Sequence, residues 1–119
     1  MRAWREPTED EKRIAGARPR SREGWALVCD LCTLTKPMVW WPVHEFAVQI
    51  PDKPGRTVYL SGERLATCRL CKRDIEKNLW DRITRRRPGG FLLHQAMLTE
   101  GYRERIVKSA SPVRVADWP

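Results

Sequence analysis

The chain has 119 residues, 41% of them hydrophobic and 32% charged, and 23 Lys and Arg against 15 Asp and Glu leave a net charge of +8. That length suits one domain, and that apolar fraction excludes wholesale disorder. Strong positive charge points to nucleic acid or another acidic surface as partner without choosing between them. The longest apolar run, Met38–Val43, is far short of the roughly 20 residues that a transmembrane helix needs. The first residues hold no apolar core of a secretory signal, so an intracellular location, no membrane partner and reduced cysteines are expected.

Residues 1–24 read as a basic flexible arm. They hold Pro7, Gly16, Pro19 and Gly24 among seven basic and five acidic residues, and Thr8 can cap a short helix running through Ile14. Residues 25–110 read as the folded domain. Trp25 to Val28 is a short strand leading into Cys29. Met38 to Val43 is a second, kept at a sheet edge by Pro42. Phe46 to Ile50 alternates, with Phe46, Val48 and Ile50 on one face. A turn over residues 51–55 and a strand from Thr57 to Leu60, with Val58 and Leu60 on one face, complete a hairpin.

From Cys68 the period changes. Cys68, Cys71, Ile75, Leu79 and Ile83 have spacings of 3, 4, 4 and 4, which predicts one helix over 68–87 with that stripe inward. Pro88-Gly89-Gly90 ends it. A further helix starts at Phe91, with Gly101 a break or bend before a continuation to Ala110. Residues 111–119 read as an irregular tail, with Trp118 docking on the core.

Cys29-Asp-Leu-Cys32 and Cys68-Arg-Leu-Cys71 are two C-x2-C pairs with 35 residues between them. Each pair on a tight knuckle supplies two thiolates, and two pairs close a tetrahedral structural zinc site. Structural Zn²⁺ is therefore the expected cofactor, with Cys29, Cys32, Cys68 and Cys71 as ligands. Disulfides, a redox dithiol and buried free thiols are the weaker readings of the same residues, and iron–sulfur ligation shares the spacing.

A knuckle, a hairpin and a helix whose first turn gives the last two ligands is the plan of a treble-clef zinc motif. The expected fold is a small α+β treble clef with one or two further C-terminal helices. Over residues 25–80 the chain resembles the zinc-bearing HNH endonucleases. His44 falls 12 residues after Cys32 and 24 before Cys68, where the resemblance implies a catalytic histidine. Val43 replaces the usual Asp before it, Glu63 stands where an Asn is usual, and Lys72 where the last His or Asn falls. The resemblance thus implies an HNH-like scaffold with a degenerate catalytic set and no assigned catalytic residue.

Residues 68–119 hold twelve basic and six acidic residues, +6 of the total +8. On a helical wheel Arg69, Arg73, Lys77 and Arg87 lie opposite Ile75, with Trp80 in their sector, and Arg85-Arg86-Arg87 closes the predicted helix. Cations there neutralise phosphates and an indole stacks on a base. The expected function is non-catalytic DNA or RNA binding, alone or within a nucleoprotein machine. The alternatives are a protein-interaction module docking through Trp40, Trp41 and the basic helix on a nucleic-acid-processing complex, and an HNH-like nuclease with a rearranged site.

Overall fold

Two antiparallel three-stranded sheets and four helices form a mixed α+β fold in the computed structural model, which describes residues 4–17, 28–51 and 56–115. The elements run β1 (Trp4–Arg5), α1 (Glu9–Ala17), β2 (Val39–Pro42), β3 (Ala47–Pro51), β4 (Arg56–Leu60), β5 (Arg64–Thr67), α2 (Arg69–Glu76), α3 (Trp80–Arg86), α4 (Leu93–Arg105) and β6 (Val113–Arg114). The expected strand residues 25–27, the turn at 52–55 and the docking of Trp118 lie outside the described residues.

One sheet has the order β1-β3-β4. The hairpin forms where the alternation places it, with Ala47 opposite Leu60 and Pro51 opposite Arg56. On β4, Tyr59 faces the core side of the hairpin. Tyr59 is opposite Val48, and directly opposed residues share a face. The Tyr59 hydroxyl meets that of buried Tyr102 at 2.5 Å. A phenol can face the core when its hydroxyl has such a partner.

The N-terminal segment is not an arm over its described part. Trp4 pairs with Val48, and its ring meets Phe46 edge-on with centroids 6.1 Å apart. The capped helix is present as α1. The Glu11 amide donates to the Thr8 hydroxyl, while the Thr8 amide donates to the Glu11 carboxylate at 2.9 Å. This reciprocal box satisfies two amides that a helix start otherwise leaves unpaired.

The second sheet has the order β5-β2-β6, so β2 is its central strand and not an edge. β6 pairs with Val39 and Trp40 ahead of Pro42, and beyond it the segment after α4 asks only for the Pro42 carbonyl, which accepts from the Val107 amide at 2.9 Å, so the missing N–H is tolerated. The expected tail thus contributes β6 over Val113 and Arg114, and the Val115 amide extends the contact by donating to the Met38 carbonyl. Along β2–β5, Val39 is opposite Thr67 and Pro42 opposite Arg64.

The single helix expected over 68–87 is two. Asn78 takes a left-handed φ of 56°, and the Leu79 amide donates to the Asp74 carbonyl at 2.7 Å. Asn is one of the few non-glycine residues that enter this region readily. The chain turns there, and α3 starts in a new direction at Trp80. A wheel drawn through the break therefore misplaces the residues of α3: Trp80 is 6% exposed and belongs to the core with Ile83.

Helix α4 runs through Gly101 without a break. A Cβ at Gly101 would lie 2.7 Å from Cζ of Phe46. The glycine lets α4 approach the first sheet closely enough for Phe46 to meet Tyr102 edge-on, with centroids 5.0 Å apart.

Candidate metal centre

The β2–β5 ladder brings the two cysteine pairs together. Cys29 and Cys32 sit on a loop before β2, and Cys68 and Cys71 on the turn from β5 into α2. The loop is fastened to β5 twice: the Asp30 amide donates to the Ala66 carbonyl, and the Ala66 amide donates to the Asp30 carboxylate at 2.8 Å. Thr33, with φ of 61°, helps close the loop, and its amide donates to the Cys29 carbonyl. Cys68 is the N-cap of α2, its sulfur accepting from the Cys71 amide at 3.5 Å.

All four cysteines are buried, and their sulfurs lie within 4.8 Å of one another. Cys32 and Cys68 sulfurs are 3.7 Å apart. A tetrahedral thiolate centre with bonds of about 2.3 Å has sulfur–sulfur edges of roughly 3.8 Å, so the donor set fits a metal ion. Among the described residues this is the group of His, Cys, Asp and Glu side chains placed to hold one.

The thiols perturb one another through the hydrogen bonds they share. Cys29 is held down at about 5, chiefly by its hydrogen bond with Cys71. The same bond, with burial, pushes Cys71 well up, and burial raises Cys32. One thiolate is favoured at the expense of its neighbours. A cation at the centre removes that conflict by stabilising all four thiolates together.

Two arginines assigned by sequence to an outward surface support this centre instead. Arg86 donates to the Cys71 sulfur at 3.1 Å and to the carboxylate of Asp74, which is wholly buried. Burial opposes the Arg86 charge, yet Asp74 and the adjacent sulfur hold its pKa above the ordinary value. Arg87 donates to the carbonyls of Asp30 at 2.9 Å and Leu31 at 2.8 Å, bracing the first knuckle from outside. The break at Asn78 swings the end of α3 back over the cysteines, so this part of the basic run is structural. The Asp74–Arg86 pair was missed in the sequence. Its signal was Asp74 itself, three residues after Cys71 and one before Ile75, on the inward side of the stripe.

Arg69, Arg73 and Lys77 are exposed, as their spacing on α2 requires, and Arg85 is exposed on α3. Trp80 does not join them. Trp41 is buried, its indole N–H donating to Thr67 at 2.9 Å, and Trp40 lies half-buried beneath Arg64, with the guanidinium 4.5 Å from the ring centroid. Neither supplies an open aromatic docking face.

His44 is exposed at the end of β2, its amide donating to the Arg105 carbonyl. With Glu45, Glu63 and Arg105 it lines an open cleft of about 550 Å³ on the side of β2 reached by the C-terminal end of α4. No family model, curated protein or solved structure matches the chain. No helix among the described residues is long and apolar enough to cross a membrane.

Proposed function

We propose that the chain is a non-catalytic, zinc-stabilised nucleic-acid-binding protein built on a treble clef, with α2 as its contact element. Support for the treble clef comes from the order knuckle, β-hairpin, helix, with β2 and β5 as the hairpin and the last two cysteines on the first turn of α2. Here β3 and β4 are inserted between the hairpin strands and join a separate sheet. Four sulfur donors in a closed, buried set favour zinc as the ion. Its role at this site is structural: the four thiolates fill the coordination shell and tie the two knuckles.

The observation that carries the function is the exposed row Arg69, Arg73, Lys77 on a helix pinned at its first turn by Cys68 and Cys71. Eight residues of helix span about 12 Å, enough for two or three successive phosphates. Pinning fixes the direction of the row, so the cations are held in register rather than scattered on a loose surface. Arg85 adds charge nearby on α3.

The test is Arg69→Glu with Lys77→Glu, chosen because Arg73 also lies 3.6 Å from the buried Asp74 carboxylate, measured against duplex and single-stranded DNA and RNA over a salt series. Binding is expected to weaken while metal content and melting stay unchanged. Each lost contact should flatten the log K against log salt slope by about 0.9 for duplex or 0.7 for a single strand. Equal affinities and slopes for parent and variant would remove α2 as the contact surface.

A second reading, an interaction module docking on a nucleic-acid-processing complex, is favoured by Phe91, Leu92 and Leu93, which are 76%, 57% and 67% exposed at the start of α4. A complex lost on Leu93→Asp but unaffected by the α2 charge reversals would support it. The HNH-like nuclease reading rests on His44, and metal-dependent plasmid cleavage abolished by His44→Ala would establish it.

A further inference from the structure

We propose that the partner is single-stranded nucleic acid, and that one unstacked base enters a cavity between α2, α3 and the segment after α4. This rests on the nucleic-acid reading above and deepens it. The cavity is about 610 Å³, within the range of small-ligand sites. Its apolar walls come from Trp41, Trp80, Ile75, Ile106 and Val107. Trp41 and Trp80 are each 6% exposed, so both indoles are fixed in the core and meet the cavity with a small part of their surface. Trp41 spends its N–H on Thr67 and offers the cavity carbon surface alone.

Two features select a nucleotide over an apolar side chain. Exposed polar groups line it: the Asn78 amide and the Ser111 hydroxyl can meet the hydrogen-bonding edge of a base. Cations accompany these polar groups. Glu76 and Asn78 line the cavity, and Lys77, the last cation of the α2 row, lies between them in the chain. Arg103 and Lys108 also line the cavity. A phosphodiester backbone running along Arg69, Arg73 and Lys77 ends beside Asn78, which lines the cavity together with the cations Arg103 and Lys108. The acid that lines it, Glu76, is engaged by Lys72 at 2.8 Å.

The occupant must be single-stranded for a steric reason. Duplex bases are stacked and paired, and only an unstacked base can leave the strand axis to enter a pocket while its phosphates stay on the rim. The left-handed turn at Asn78 is the local device that creates the space, since it separates α2 from α3 where the basic row ends.

The experiment compares oligothymidylate, an abasic oligonucleotide of equal length and a blunt duplex, using the metal-loaded full chain. Oligothymidylate is expected to bind roughly tenfold more tightly than the abasic strand, as burial of about 60 Å² of apolar base surface gives, and to quench tryptophan fluorescence. Val107→Glu and, at an exposed position, Ser111→Glu should abolish that preference while metal content and melting stay as in the parent. Equal binding of the abasic strand, or preference for duplex, overturns the base-pocket inference and leaves the α2 reading standing. Failure of all three probes to bind overturns both.

Discussion

The Arg86 guanidinium joins the Cys71 sulfur, 3.1 Å away, to the buried carboxylate of Asp74 on the same helix as that cysteine. Four thiolates around a divalent ion carry net negative charge, and Arg86 is the cation that meets this charge where solvent is excluded. Asp74 in turn fixes the guanidinium. Groups of this kind around a metal typically alter its affinity by 10–100-fold when removed. Arg86→Met should therefore weaken metal retention by about that factor in a chelator competition. It should also destabilise the fold by about 3–5 kcal/mol, because Asp74 is left charged and buried. Arg86→Met with Asp74→Leu should recover much of the stability but not the metal affinity. Recovery of both, or loss of neither, would show that the guanidinium does not act on the sulfur centre.

Gly101 lies against Phe46, with no room for a Cβ between helix and ring. Gly101→Ala is expected to lower stability by about 1–3 kcal/mol through overpacking, although alanine is the better helix former. Pairing it with Phe46→Leu should return part of the loss. Denaturant unfolding of the two single variants and the double variant checks this, and a stabilised Gly101→Ala would contradict the packing.

Glu11 is held down at about 2, first by its hydrogen bond from Arg5 and then by the Thr8 amide. A carboxylate lowered in the folded state adds stability that is complete above its unfolded pKa and is lost as pH falls toward 2. Glu11→Gln should lower the melting temperature by a constant amount between pH 8 and pH 5, and the gap to the parent should narrow below that. Glutamine can still accept from the Thr8 amide, so the loss comes from the partly exposed charge pair with Arg5 and should stay within about 1 kcal/mol. A gap that widens on acidification would contradict the assignment.

The cysteine cluster was legible because C-x2-C spacing is a local pattern with one dominant geometric use. The β3–β4 hairpin and the capped helix α1 were legible for the same reason: alternation and a Thr-x-x-Glu box act over a few residues. The features that escaped depended on contacts distant in sequence. Pro42 marks an edge by itself, yet β2 is central because β6, far along the chain, pairs with Val39 and Trp40. Periodicity saw one helix from Cys68 to Arg87, since the left-handed residue at Asn78 leaves the hydrophobic spacing almost unchanged while turning the axis. That turn moved Trp80 into the core and Arg86 and Arg87 onto the knuckles. Gly101 reads as a breaker in isolation and is a packing surface against Phe46.

Metal analysis of the freshly purified, reduced chain beside Cys68→Ser tests the proposal of a zinc-tied fold most directly. Elemental analysis and native mass spectrometry are expected to find one zinc per parent chain. Cys68→Ser is expected to lose the metal together with the cooperative melting transition, because a structural zinc site contributes roughly 10–16 kcal/mol of apparent binding energy. A folded parent without stoichiometric metal, or one carrying iron with visible absorbance, would contradict it.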